Sequence, residues 1–165
     1  MRDDDFRDFV RARSPALSRT AYLLTGDHHL AQDLLQSALA ATYQHWPRVR
    51  DGNPEAYVRR ALHNTYVSWW RRKPPAQPVA DVSVAPTTDG TEATLRRLTI
   101  LNALRVLTPR QRAVIVLRYF EDLTEAQTAD ALGVSMGTVK RLHFDALTRL
   151  RGLAPHLIED EVAIP

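Results

Sequence analysis

Aromatic rings and arginine side chains alternate over residues 54–73. Tyr57, Tyr66, Trp69 and Trp70 interleave with Arg59, Arg60, Arg71, Arg72 and Lys73, and Asn64 lies among them. Rings stack on unpaired bases, and guanidinium groups contact phosphates, so this pattern is typical of a surface for single-stranded nucleic acid. Alternatively the rings belong to a hydrophobic core. That interpretation suits Trp69, which continues an apolar stripe, whereas Trp70 and Arg71 favour a nucleic-acid or partner surface.

A second pattern, over residues 124–153, has the spacing of a helix-turn-helix. Ala129 suits a close helix crossing, Gly133 suits a turn through positive φ, and Val139 and Leu142 would fix the second helix on the first. The opposite face of that second helix carries Met136, Gly137, Lys140, Arg141, Phe144, Asp145 and Thr148. Such a face can enter the major groove of DNA, where Lys and Arg read guanine. The alternative to a DNA-reading helix is an ordinary helical hairpin whose basic face is only solvated.

The charge distribution also favours a polyanionic partner. The formal net charge is only +3, but residues 43–73 and 96–154 each carry +5, and the acidic segment 74–95 separates them. Two basic blocks indicate contact with nucleic acid at two places. Because 20 of the 22 basic residues are Arg, GC-rich codon usage is the alternative explanation.

Residues that could perform catalysis or hold a cofactor are not arranged to do so. The chain has no Cys, which excludes thiolate nucleophiles and Cys-ligated zinc, and its six His residues lack metal-ligand spacing. No glycine-rich phosphate loop or nucleophile elbow is present. We therefore expect no catalytic residue, no metal, no cofactor and no enzymatic activity.

The elements that must position these residues are all helical. Apolar residues recur at helical spacing on both sides of a proline-rich segment, so the sequence predicts an all-α protein of two small helical domains joined by a flexible linker. Within the first domain, the Ser14-Pro15 pair suggests a restart or kink, and residues 47–53 read as a turn-rich loop. The expected boundaries are 1–73 for the first domain, 74–94 for the linker, 95–154 for the helix-turn-helix domain and 155–165 for an acidic tail. A linker of these 21 residues reaches at most roughly 70 Å, so the two domains could lie far apart.

These motifs resemble those of the extracytoplasmic-function (ECF) sigma factors, the sigma-70 superfamily subunits that give bacterial RNA polymerase its promoter specificity. Region 4 of that family is similar to LRVLTPRQR at 104–112, LRYFEDLT at 117–124 and GVSMGTVK at 133–140. Regions 2.1 and 2.2 are similar to YLLTGD at 22–27 and AQDLLQ at 31–36. The WWRR ending at 69–72 resembles an actinobacterial branch.

The resemblance implies promoter-specific transcription initiation and a role for each set of residues. The −35 element would be read as duplex by Ser135, Met136, Gly137, Thr138, Lys140, Arg141, Phe144 and Asp145. The melted −10 strand would be bound by Arg48, Arg50, Asn53, Tyr57, Arg60, Asn64, Trp70, Arg71 and Arg72. Core polymerase would be contacted through its β′ clamp and β flap, the clamp by Asp33, Leu35 and Gln36.

Other partners and functions stay open at this point. Inhibition by an anti-sigma factor is common in the family, so such a partner is open here too. A dimeric helix-turn-helix repressor or activator that does not associate with polymerase is the chief alternative, and an adaptor that binds polymerase without DNA is the weaker one.

No apolar run approaches the roughly 18 residues of a membrane span, and the acidic N-terminus does not resemble a signal peptide. We therefore expect a cytoplasmic protein without membrane insertion.

Overall fold

The computed structural model describes residues 1–72 and 91–153, here called the first half and the second half. The described residues are helical and contain no strand, which confirms the predicted all-α class. Residues 73–90 and 154–165 lie outside the described residues, and with them most of the expected linker and the whole expected tail. No helix in the described ranges is both long and apolar enough to cross a membrane.

The first half contains four helices. They are α1 (Arg2–Thr25), α2 (His28–Gln44), α3 (Trp46–Val49) and α4 (Pro54–Arg72). Gly26 ends α1 in the left-handed conformation at φ 68°, and the Asp27 side chain accepts a hydrogen bond from the Leu30 amide, which starts α2. These two signals separate α1 from α2.

Two local expectations for the first half need correction. Helix α1 runs through Pro15 instead of restarting there. The expected loop at 47–53 begins with the short helix α3, because Pro47 is favoured in a first helical turn and the Arg50 amide bonds the Trp46 carbonyl. Trp46 itself is buried against Phe6 and Phe9, a core position that the sequence patterns did not indicate.

The second half contains four helices and one π-helical turn. They are α5 (Glu92–Arg105), α6 (Pro109–Ile115), the π turn (Val116–Phe120), α7 (Glu125–Leu132) and α8 (Met136–Leu153). Thr124 and Gln127 form a capping box at the start of α7, and Gly133 ends that helix at φ 66°. Ser135 then accepts a hydrogen bond from the Thr138 amide at 3.1 Å. The predicted helix-turn-helix is therefore present as α7 and α8.

The two halves pack against each other in the structure. Helix α4 contacts α6 and α7, and α1 contacts α6 and the π turn. One apolar cluster includes buried residues of both halves, among them Leu34, Leu62, Leu104, Leu107 and Val116. The reach of the linker allows the halves to lie far apart, but burial of this shared apolar surface favours contact.

A buried arginine joins the halves. Arg112 of α6 is 6% exposed, and its Nε donates to the Leu23 carbonyl near the end of α1 at 2.6 Å. Burial raises the pKa of the adjacent Tyr66 to about 12, and the positive charge of Arg112 partly offsets that rise. Burial likewise lowers the pKa of Arg112. A carbonyl left without a partner at the end of α1 thereby gains a charged donor from the other half.

The turn between α7 and α8 gives a test of the fold by backbone conformation alone. A Cβ at Gly133 would meet no atom within 4 Å, but its φ of 66° is left-handed. We expect Gly133→Ala to lower the free energy of unfolding by about 1–2 kcal/mol, the cost of that conformation for an L-residue. Urea unfolding followed by circular dichroism measures the change.

The matched control is Gly137→Ala, four residues further on and inside α8, where a Cβ would contact only Ser135 Oγ at 3.8 Å. That substitution should raise the free energy of unfolding by up to about 1 kcal/mol, because Ala is the better helix former. Equal effects of the two substitutions would contradict the assigned turn.

Candidate nucleic-acid interfaces

The exposed face of α8 carries most of the residues expected to read duplex DNA. Seven of the eight are exposed, namely Ser135, Met136, Gly137, Lys140, Arg141, Phe144 and Asp145. Thr138 is half-buried, and its hydroxyl lies 3.0 Å from the Ser135 hydroxyl. Phe144 is 68% exposed, which is unusual for a large apolar side chain with no partner to cover it. The face therefore combines cations with an exposed ring at the centre of the helix.

The opposite face of α8 fixes its orientation. Val139, Ala146 and Leu150 are buried, and Val139 packs with Val114 of α6 and Ala129 of α7. This is the apolar contact that the spacing predicted. These contacts hold α8 in place with its polar face toward solvent, as a groove-binding helix requires.

A polar contact that the sequence patterns did not indicate also anchors α8. Tyr119 Oη lies 2.5 Å from His143 Nε2, and Arg118 donates to the Leu123 carbonyl beside it. Burial, and then the charge of Arg118, lower the pKa of His143, while Glu125 partly opposes them. The imidazole is therefore neutral at pH 7, and its Nε2 can accept a hydrogen bond from the Tyr119 hydroxyl.

Lys140 makes one ion pair inside the second half. Its Nζ lies 3.9 Å from Glu125 Oε2, and the lysine side chain is 62% exposed. Exposed pairs of this kind contribute roughly 0–1 kcal/mol, so the pair would not hold Lys140 back from a phosphate or a base.

Four of the residues expected to bind the −10 strand line one cleft. Arg48, Asn53, Tyr57 and Arg60 border a volume of about 640 Å³. The far wall of this cleft belongs to the second half and consists of Leu123, Gln127, Asp130 and Ala131. The structure therefore brings these four residues together, but with α7 facing them.

The other expected −10 residues do not line that cleft. Asn64 and Arg71 line a smaller cavity of about 220 Å³, whose far wall includes Leu132, Val134 and Leu142. Trp70 is half-buried, and its ring meets Tyr66 at 73°. Trp70 therefore has a packing role, and Trp69 also packs against the core.

The last two members of the −10 set differ in their surroundings. Arg72 is exposed at the end of α4. Arg50 is paired with Asp5 at 3.3 Å and with Asp51 at 3.5 Å, so it would have to exchange carboxylates for phosphates on binding.

The residues expected to contact polymerase lie on α2. Asp33 and Gln36 are exposed, whereas Leu35 is 8% exposed and belongs to the core. A docking partner could touch the first two directly, and Leu35 would support the helix from beneath. No group of His, Asp and Glu in residues 1–72 and 91–153 is arranged to hold a metal ion.

Comparison with protein families gives two matches along the chain. Residues 9–74 match Sigma-70 region 2, and residues 103–152 match Sigma-70, region 4. Region 2 thus contains α2 and α4, and region 4 contains the helix-turn-helix.

Curated relatives cover most of the chain. It is 44% identical over 149 residues to the RNA polymerase sigma-E factor of Streptomyces coelicolor, covering 89% of this chain and 84% of that protein. It is 36% identical over 136 residues to the ECF RNA polymerase sigma factor SigL of Mycobacterium tuberculosis, covering 78% and 77%.

Solved structures share the fold. The sigma factor RpoE in complex with the anti-sigma factor NepR from Bartonella quintana is similar at a TM-score of 0.71 and 24% identity, over 95% of this chain and 98% of that one. CnrH in complex with the cytosolic domain of CnrY is similar at a TM-score of 0.61 and 20% identity, over 90% and 86%. With region 2, region 4 and these relatives together, the chain belongs to the ECF group of the sigma-70 family of RNA polymerase sigma factors and is of actinobacterial type.

Proposed function

We propose that this sigma factor binds core RNA polymerase, reads the −35 element as duplex with α8 and captures the −10 element as a melted strand on α4. The observation that carries the proposal is the outward face of α8, where exposed Lys140 and Arg141 stand on a helix whose other face is buried. A rigid helix with this polarity fits the major groove.

Direct readout of the −35 element would fall to the residues in the first three turns of α8. Lys140 and Arg141 can donate to guanine or to phosphates, and Phe144 can contact a thymine methyl group. Asp145 would accept a hydrogen bond from a cytosine amino group, and this acceptor among cations would narrow the sequence preference.

Capture of the −10 strand would fall to the cleft side of α4. Tyr57 offers a ring for base stacking, Arg48 and Arg60 offer cations for the backbone, and Asn53 and Asn64 offer amides for base edges. The half-buried Trp70 would contribute by holding the end of α4 in place. The boundaries 1–73, 74–94 and 95–154 remain the proposed division into −10 domain, linker and −35 domain.

Polymerase would bind through α2 and through the second half. Asp33 and Gln36 present a polar surface of α2 to the β′ clamp, and the β flap would contact the −35 domain. We further propose that the chain performs no covalent chemistry itself and acts in the cytoplasm, where polymerase and chromosomal DNA are. An anti-sigma partner also belongs to this proposal, since the similar structure of RpoE is a complex with the anti-sigma factor NepR.

A dimeric repressor is not favoured, because the half that would have to sense a signal or dimerise matches Sigma-70 region 2. The decisive experiment is reconstitution with sigma-free actinobacterial core polymerase, followed by transcription from a fragment library of the source genome. Comigration with core and start sites that share two upstream elements would support the proposal. Absence of comigration together with binding to palindromic duplex would contradict it.

Removal of the two α8 cations should weaken −35 recognition alone. We expect Lys140→Ala with Arg141→Ala to reduce −35-dependent transcription about tenfold or more, because each base or phosphate contact contributes roughly 1–3 kcal/mol. Comigration with core polymerase should persist. Promoter titrations at several salt concentrations measure how steeply the logarithm of the binding constant falls with the logarithm of the salt concentration. The double variant should lower the magnitude of that slope by about one to two, because two cations no longer contact DNA.

The matched control is Arg149→Ala, which removes an exposed cation two turns further along α8. It should leave −35-dependent output close to that of the unaltered protein. Equal losses in the control and in the double variant would show that general positive charge, and not the start of α8, carries recognition.

Substitutions on the cleft side of α4 should affect DNA opening more than DNA binding. We expect Tyr57→Ala with Arg60→Ala to form closed promoter complexes but to lower permanganate reactivity of the melted strand several-fold, since stacking contributes roughly 1–3 kcal/mol per base. The corresponding pair at the far end of α4, Trp70→Ala with Arg71→Ala, should show the same defect.

Arg19→Ala on the exposed face of α1 serves as the control for lost charge. Normal opening by Tyr57→Ala with Arg60→Ala would remove the cleft from the −10 interface. Normal opening by Trp70→Ala with Arg71→Ala would leave Trp70 with its packing role only.

A further inference from the structure

A carboxylate of the second half is inserted between two helices of the first half. Glu121 follows the π turn, and its side chain is 11% exposed. It lies against α1 and α4, more than fifty residues away in sequence. The sequence patterns gave this residue no role.

Three first-half side chains surround this carboxylate. The Thr20 hydroxyl donates to Glu121 Oε1 at 2.8 Å, and Arg59 Nε lies 2.7 Å from Oε2 in an ion pair. His63 Nε2 lies 3.9 Å from Oε1. Burial by itself raises the pKa of Glu121, but His63, Thr20 and Arg59 together outweigh burial and hold that pKa below its ordinary value. Glu121 is therefore ionised at neutral pH.

The pocket formed by Thr20, Arg59 and His63 has hydrogen-bonding groups that Glu121 does not use. His63 is fully buried, and neither of its ring nitrogens has a hydrogen-bond partner among the described residues. A buried imidazole without partners is costly, and a nearby carboxylate reduces that cost. These three side chains therefore suit an anionic oxygen ligand better than an apolar one.

The pocket borders the cleft that contains the proposed −10 surface. Arg59 belongs to both, since it pairs with Glu121 and also lines the cleft. Leu123, two residues after Glu121, forms part of the opposite wall together with Gln127 and Asp130 of α7. Insertion of Glu121 therefore places α7 in front of Tyr57 and Arg60.

We propose that Thr20, Arg59 and His63 form a carboxylate-binding pocket, which Glu121 fills in the same chain to hold a closed state that covers the −10 surface. This inference rests on the proposed assignment of that surface. The Arg112 contact with the Leu23 carbonyl is a second tie between the same halves.

The closed state cannot engage both promoter elements at once. Elements about 25 base pairs apart lie roughly 85 Å apart along a straight duplex at ~3.4 Å per base pair. Helices α4 and α7 are in contact in the structure. Promoter binding therefore requires the halves to separate, which removes Glu121 from its pocket.

Distance measurements on the free protein test the closed state. Because the chain has no Cys, spin labels can be attached uniquely to Ala56→Cys and Asp130→Cys, which face each other across the cleft. In the chain that carries only these two labelled substitutions, double electron–electron resonance should show a short distance between the labels. Adding Glu121→Gln should raise the ratio of long to short distances about tenfold or more, because the amide loses the charge and turns a donor toward Arg59.

The matched control is Glu125→Gln, the same chemical change at a residue whose ion pair with Lys140 stays within the second half. It should keep the short distance. Thr20→Val provides a second route to opening, in case Glu121→Gln does not fold, and should also lengthen the distance. A long distance in the background protein, or a short one in both Glu121→Gln and Thr20→Val, would overturn the proposal.

Binding of the unlabelled proteins to DNA tests whether the closed state covers the surface. A fluorescent pool of random single strands about 12 nucleotides long should bind Glu121→Gln about tenfold more tightly than the unaltered chain. If Glu121→Gln lengthens the distance between the labels but does not bind the single strands more tightly, α7 does not cover the −10 surface. Neither the distance measurement nor the single-strand binding assay uses polymerase, whereas comigration with core polymerase tests the sigma-factor function. The closed-state proposal and the proposed function can therefore fail independently.

Discussion

Helix α4 is the element on which both halves depend, because its faces have different chemistry. Val58, Leu62 and Tyr66 recur at helical spacing and are buried, so they fix the helix in the core of the first half. Tyr57, Arg60 and Asn64 follow from the same periodicity on the side away from that core. The hydrophobic burial of one face therefore determines which residues the other face can offer to a partner.

Contact between the halves combines apolar burial with two charged groups that are nearly removed from water. Such groups are costly to bury unless they are paired, and both find partners in the other half. Arg112 finds the carbonyl of Leu23, and Glu121 finds Thr20 and Arg59. Because these partners are specific atoms, the contact has a definite geometry, which apolar packing alone does not require.

The two proposed DNA-binding surfaces differ in how exposed they are when the halves pack together. The cations and Phe144 of α8 are exposed in the same arrangement that places α7 across the cleft of α4. Under the proposed assignments, the duplex-reading face of α8 is accessible in this arrangement, whereas the single-strand surface of α4 would become accessible only when the halves separate. The order of promoter recognition before strand capture would then follow from the packing of the free chain.

The sequence by itself determined the all-α class, the turn at Gly133 and the polar face of α8, because each depends on residues close together in the chain. The capping residues Asp27, Thr108 and Thr124 were visible as local patterns, and so was the apolar face of α8. The tertiary structure alone decided that Trp46 and Leu35 are buried, that α4 meets α7, and that Glu121 lies beside Thr20 and Arg59. Those contacts join residues far apart in sequence, and no periodicity specifies which buried charge on one half meets which donor on the other.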